Sequence, residues 1–448
     1  MTPTIARQLS RHFTRLNYEA VPVTNRDAVK RLLLDYLGVA IAGSQTESGK
    51  IACSFAEVHE GRPEATLIGD KARAPMTLAA FANAISSHSI ELDDIDVLAL
   101  FHFSPPVYSA ALAAAQRQGA SGRQLVAALA AGCEMMERLS KAANNSLRNR
   151  AYHTTPTCGV FGATVAAGML LGLDSEGMTS ALGMAGAQSS GLMEMYGPSM
   201  QKRFNPGPAA RNGVSAALMA QLGFTGADTI FEGERGFLKA FTDHSDASQL
   251  TAGLDKPYQL DIEFKPYSCA RPIHNAIDCA LEIRQRDQPV LDQIKRIEVA
   301  RHPDWALYHQ NKAPQTYHEA QVSLPYATAV AFVEGKALLA QFTDSKLKDP
   351  LLVRLMNLTD ISVDAGLPRG VSCRMTVTLS NGTQRVSQVD YPKGSIQNPM
   401  SDDELQQKFE SLSIPVLGAA RTGQILERVR GIESCSDVGE LMKLTRCA

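Results

Sequence analysis

Four short stretches of this 448-residue chain gather side chains suited to proton transfer and anion binding. The first is His88-Ser-Ile-Glu91-Leu-Asp93-Asp94, followed by His102. Three carboxylates within four residues repel one another, so solvent, a cation or a retained proton must offset them. A metal site is one reading and a solvated acidic turn is the other. The second is Arg150-Ala-Tyr-His153-Thr-Thr-Pro156, directly before a helical pattern. Backbone N–H groups there can hold an anion with His153 beside them, or the histidine is simply hydrogen-bonded near a cap.

The third stretch runs from Ser199 to Gly213 and carries Lys202, Arg203, Asn205, Gly207 and Arg211 ahead of a small-residue helix. It has the make-up of an anion cradle, although its spacing is not that of a P-loop. A helix-entry loop with solvated charges is the plainer alternative. The fourth, Phe264 to Asp278, puts Lys265, Arg271 and His274 within ten residues, against the alternative of a boundary loop with incidental charge. No nucleotide fingerprint and no G-x-S-x-G elbow accompanies them. The inventory fits small-polyanion chemistry without a cofactor: cations bind carboxylates, and a histidine or carboxylate moves a proton alpha to one.

Composition narrows the partners. Lys plus Arg is 44 against 46 for Asp plus Glu, a net charge of −2, which argues against a nucleic-acid binder. The N-terminal stretch to Asn17 is polar, and the longest apolar run, Gly159 to Leu173, is glycine-interrupted and too short for a membrane span. Eight scattered cysteines without a CxxC pair suit neither a disulfide framework nor a zinc or iron–sulfur site. The expectation is a cytoplasmic protein with reduced, mostly packing thiols, no metal, no membrane and a small di- or tricarboxylate as partner.

Helical patterns must position these groups. Arg26 to Ala42 spaces Val29, Leu32, Leu33, Tyr36 and Leu37 by threes and fours before Gly43. Thr77–Ile90, Gln124–Ser140 and Ala209–Leu222 read likewise. A helix containing Pro156 in its first turn, capped by Thr154 or Thr155, runs to Gly172, and Asp174 can cap the next. Near residue 260 the texture changes. His274–Arg286 and Ala320–Glu334 read as helices, Gln293–Ala300 and Val371–Leu379 alternate, and Asn381-Gly382 marks a hairpin turn back into Val386–Tyr391. After Asn398, Ser401 and Glu404 form a capping box. The predicted fold is mainly α, with a discontinuous helical domain (1–260 and 400–448) and an α+β domain with an antiparallel sheet (261–399).

The ordered motifs resemble the MmgE/PrpD family, which includes 2-methylcitrate dehydratases, cis-aconitate decarboxylases and iminodisuccinate epimerases. The resemblance is carried by H-S-I-E-L-D-D at 88–94, the His102 segment running into Ala110-Ala-Leu-Ala, and Y-H-T-T-P-T at 152–157. It continues through Lys202 to Gly213, Gly223-Phe-Thr-Gly226, Glu232 to Phe237, Phe264 to Asp278, and Glu319 to Tyr326. It implies a large helical domain, a smaller α+β domain, an active site in the cleft between them, a homodimer and no cofactor. By that resemblance, His102 is the proton-transfer residue and His153 orients substrate or assists. Glu91, Asp93 and Asp94 complete the catalytic set; Lys202 and Lys265 clamp carboxylates, with His274 and Tyr326 lining the cleft from the smaller domain, and the residues themselves add Arg203 and Arg271 as candidate substrate-binding cations.

Departures bear on the substrate. Glu91 stands where the family usually has aspartate, Ile95 where it has threonine, Asn205 where many members have histidine, and Phe103 replaces a common proline. The loop Val97-Leu-Ala-Leu-Phe101 is apolar. The leading expectation is a cofactor-independent hydro-lyase that dehydrates a 2-methylcitrate-like acid. The alternatives are an epimerase or decarboxylase of a related di- or tricarboxylate, of iminodisuccinate or cis-aconitate type, and a non-catalytic carboxylate-binding protein.

Overall fold

The computed structural model describes residues 3–97, 101–195, 199–368 and 370–447. Residues 98–100 of the apolar loop before His102 therefore lie outside the described residues. The chain divides into two compact units: Met1–Ser89 with Asp93–Ile262 and Ser401–Ala448, and Ile90–Leu92 with Glu263–Met400. The architecture is mainly helical, with strand content concentrated in the second unit.

The first unit opens with α1 (Ile5–Phe13), α2 (Val23–Gly43) and α3 (Glu47–Glu57), then a minimal ribbon of β1 (Ala65–Thr66) and β2 (Arg73–Ala74). It continues with α4 (Met76–Ser87), α5 (Ser104–Gln118), α6 (Gly122–Ala143), α7 (Ser146–Asn149), α8 (Thr154–Leu170) and α9 (Ser175–Gly186). The one-turn α10 (Gln201–Phe204), α11 (Pro206–Gln221), α12 (Phe237–Phe241) and α13 (Ser248–Thr251) follow. Helix α8 is the apolar run, buried without a break from Thr154 to Gly168. Small residues make that possible. A Cβ placed on Gly162 would meet the Gly132 carbonyl oxygen at 2.6 Å, and one on Gly213 would meet Ala163 Cβ at 2.5 Å. Helices α6 and α11 thus approach α8 at backbone distance. Among the described residues, no helix is long and apolar enough to cross a membrane.

The second unit contains α14 (His274–Asp287), β3 (Ile294–Arg301), α15 (Pro303–Ala306), α16 (Tyr317–Ala320), α17 (Leu324–Glu334) and α18 (Pro350–Leu358). Strands β4 (Thr359–Val363), β5 (Cys373–Leu379) and β6 (Gln384–Val389) complete it. The sheet order is β4-β3-β5-β6. Every second residue of β5 (Cys373, Met375, Val377, Leu379) faces a core shared with Ile277, Ala280, Tyr326 and Val330. At the hairpin, Gly382 takes φ +81° and Asn381 Oδ1 accepts the Thr383 N–H at 2.9 Å.

Two expectations change here. The sheet is mixed: β5 pairs antiparallel with β3 and β6, but β4 pairs parallel with β3, Val299 opposite Ile361. A crossover through α17 and α18 is long enough to return a strand in parallel. The helix read over Ala320–Glu334 is broken, because Ser323 caps α17 by accepting the Tyr326 N–H and Pro325 sits in its first turn.

The chain then returns to the first unit as α19 (Asp402–Leu417), α20 (Ala419–Arg430) and α21 (Val438–Leu444), with the Ser401/Glu404 capping box formed. Helix α19 is fastened to α2 by the buried pair Lys408–Asp35 at 2.5 Å. All eight cysteines are free thiols, seven of them buried.

Candidate active site

Three histidines converge in the first unit. His88 follows α4 as its C-terminal cap residue, and its Nδ1 lies 2.7 Å from Asp93 Oδ2. His102 Nδ1 lies 3.2 Å from the same oxygen and 2.5 Å from the Asp94 carbonyl oxygen. The His88 ring is 4.9 Å from that of His102 and 6.3 Å from that of His153. All three histidines and Asp93 are buried.

Asp93 and Asp94 are adjacent in sequence and differ in duty. Asp94 accepts the Phe103 N–H at 2.7 Å, the Ser104 N–H at 3.0 Å and the Ser104 hydroxyl. It thereby caps α5, which Phe103 in the cap position cannot do. Burial and the neighbouring Asp93 push Asp94 up to about 7, against the lowering by those hydrogen bonds. Asp93 carries the imidazoles instead.

His153 occupies the N-cap position of α8, and its backbone N–H donates to the Gly191 carbonyl at 3.0 Å. Neither threonine caps that helix, contrary to the sequence reading: Thr155 Oγ1 accepts the His102 backbone N–H at 3.1 Å. The threonine thus ties the His102 segment to the start of α8. Asn205 Nδ2 lies 3.0 Å from His153 Nδ1. Burial, then the charges of His88, His102, Lys202 and Arg148, hold His153 well below the usual histidine range, so it is neutral at pH 7. Lys202 and Arg203 sit on α10, both buried.

His88, Asp93 and His102 also offer ligand atoms within 4.8 Å of one another. One donor atom of that set, His102 Nδ1, is already committed. His102 Nδ1 needs its proton to reach the Asp94 carbonyl, and that proton occupies the lone pair a metal would use. Asp93 Oδ2 is the atom both imidazoles approach, hydrogen-bonded to His88 and in ion-pair range of His102.

The remaining predicted residues belong to the second unit. The Ile90 carbonyl accepts the Ser268 hydroxyl at 2.6 Å and Gln321 Nε2 at 3.0 Å, anchoring the 90–92 peptide there. Glu91 takes the left-handed region, φ 53°, and its carboxylate lies 3.6 Å from Lys265 Nζ. Arg271 donates to Glu263 at 2.8 and 3.2 Å and to the Lys393 carbonyl at 2.9 Å. His274 Nδ1 is 3.2 Å from Arg271 and its Nε2 is 3.2 Å from the Cys269 carbonyl. Tyr326 is in the apolar core, its hydroxyl donating to the Gln341 carbonyl at 2.7 Å. These bonds commit Arg271 and Tyr326 to the unit's own structure.

Sequence reading passed over His88 and Asn205 as site residues. His88 stood inside the acidic motif, but only folding brings it to Asp93 Oδ2 alongside His102. Asn205 carried a signal as a departure from the family pattern, without a partner to interpret it.

Residues 7–250 match the MmgE/PrpD N-terminal domain and residues 267–431 the MmgE/PrpD C-terminal domain. The chain is 30% identical over 471 residues to the cis-aconitate decarboxylase-like protein oryM of Aspergillus oryzae, covering 98% of this chain and 97% of the relative. It is 27% identical to the cis-aconitate decarboxylase of Homo sapiens, covering 93% and 89%. With that of Aspergillus terreus it shares 26% identity, covering 97% and 94%.

Proposed function

We propose, from the premise that this chain belongs to the MmgE/PrpD family, that it is a carboxy-lyase acting on a cis-aconitate-like unsaturated tricarboxylate. The observation that carries the choice of reaction is the run of full-length relatives named as cis-aconitate decarboxylases. They favour decarboxylation over the dehydration that the motifs first suggested. The departure at Ile95 is compatible with it, because a decarboxylation expels no hydroxyl and needs no donor to protonate one.

The chemistry requires a C–C bond to break toward carbon dioxide, its electron pair to move through the alkene, and a proton to reach the far alkene carbon. The product is a 2-methylidene dicarboxylate. His102 suits the proton delivery: with Nδ1–H held by the Asp94 carbonyl, Nε2 is the nitrogen that exchanges a proton. Asp93, 3.2 Å from Nδ1, offsets the charge the ring gains when Nε2 is protonated. Lys202, whose charge already bears on His153, binds a substrate carboxylate. A general acid of this type contributes about 10²–10⁴-fold, so holding the substrate must supply much of the remainder.

The test is proton NMR of the purified protein with cis-aconitate in heavy water. Loss of the alkene signal, release of carbon dioxide and a singly deuterated product methylene support the reading. Turnover of 2-methylcitrate with loss of water, and none of cis-aconitate, would overturn it.

A further inference from the structure

Asn205 joins α10 to α11 and is buried beside the histidines. Its amide nitrogen has two neighbours, His153 Nδ1 at 3.0 Å and Met195 Sδ at 3.1 Å. An amide nitrogen only donates, while a thioether sulfur only accepts. Turning the amide over would set its oxygen against the sulfur lone pairs, so the thioether selects the orientation with nitrogen inward. An inward N–H requires a lone pair on His153 Nδ1. A neutral imidazole has one donor and one acceptor, which leaves its proton on Nε2.

We propose that Asn205 is a positioning residue that fixes His153 as the Nε2–H tautomer, making His153 a hydrogen-bond donor to a substrate carboxylate and not a base. The tautomer follows from contacts inside the protein alone; its use toward a carboxylate rests on the function proposed above. A histidine at this position could donate or accept and could itself gain a proton. The amide gains no proton near neutral pH and turns only its donor nitrogen to His153, so it holds one pattern. Burial and the surrounding cations, which keep His153 neutral, are consistent with it.

The experiment is a long-range proton–nitrogen correlation spectrum of the full-length protein labelled with ¹⁵N-histidine, with His153 assigned by its loss in His153→Gln. The expected spectrum shows an unprotonated Nδ1 and a protonated Nε2. A proton on Nδ1, or on both nitrogens, overturns the assignment, and the tautomer is read on the wild-type protein without reference to turnover.

Asn205→Asp, which can only accept, is expected to invert the pattern. It should also lower kcat/KM for cis-aconitate by roughly 10- to 100-fold, the effect of losing one hydrogen bond to a charged group. An Asp variant with the inverted spectrum and wild-type kcat/KM would overturn the donor role. If wild-type protein does not turn over cis-aconitate, the proposed function fails, while the spectrum still decides the tautomer.

Discussion

His102 and His88 share one carboxylate oxygen: Asp93 Oδ2 lies 3.2 Å from Nδ1 of the first and 2.7 Å from Nδ1 of the second. On the function proposed above, this arrangement would orient both rings and offset the charge on His102 during proton transfer. Asp93→Asn keeps the shape and removes the charge. We expect kcat to fall by about 10²–10⁴-fold with little change in KM, read from steady-state carbon dioxide release. A wild-type rate in this variant would take Asp93 out of the proton path.

Asp94 has a different effect because its oxygens cap α5. Asp94→Ala leaves the Phe103 and Ser104 N–H groups without that acceptor. Loss of a cap costs about 0.5–2 kcal/mol, and burial puts this site toward the upper end. Asp94→Asn keeps one oxygen acceptor and should lose less. Denaturant unfolding of both variants measures the order; Asp94→Ala as stable as wild type would contradict the capping role.

Glu137, on α6 with Lys141 as its ion-pair partner, gives a pH signature. Burial, followed by the charge of Asp96, pushes it from 4.5 up to about 7. Between those values the folded protein keeps a proton that the unfolded chain has lost. Stability therefore falls as pH rises through this window and levels off above about 7. In Glu137→Gln that residue's contribution disappears, while Asp94, also raised to about 7, keeps its own. The stability difference between the variant and wild type should shift by at most about 3 kcal/mol across the window, in the variant's favour as pH rises. Unfolding at both ends of the window gives the comparison, and a pH-independent difference would refute the shift.

Lys265 and Glu91 form an ion pair at 3.6 Å with each side chain 1% exposed. Removing one charge takes this counter-ion from the other in a buried setting. Lys265→Met should destabilise the second unit by about 3–5 kcal/mol, and adding Glu91→Gln should recover part of that loss. Calorimetric melting of the single and double variants tests the coupling. Additive losses would show that the pair does not act together.

Much of the local structure was legible in the chain itself. Asp174 caps α9, Ser401 and Glu404 form their box, and Asn381-Gly382 turns the β5–β6 hairpin, because caps and turns are set by residues within a few positions of one another. The same locality brought His102, His153, Lys202 and Lys265 forward as chemically able groups, and the ordered motifs pointed to the family.

Local rules could not say which neighbour each group would meet. Asp93 and Asp94 have one composition and opposite uses, decided by whether the histidines or the start of α5 came within reach. Glu91, two residues before Asp93, packs with the second unit beside Lys265. Strand β4 pairs parallel with β3 because of the crossover that precedes it, and Asn205 gains meaning only at 3.0 Å from His153. Hydrogen bonds and ion pairs act over a few ångströms, so groups distant in sequence acquire partners only after the chain has folded.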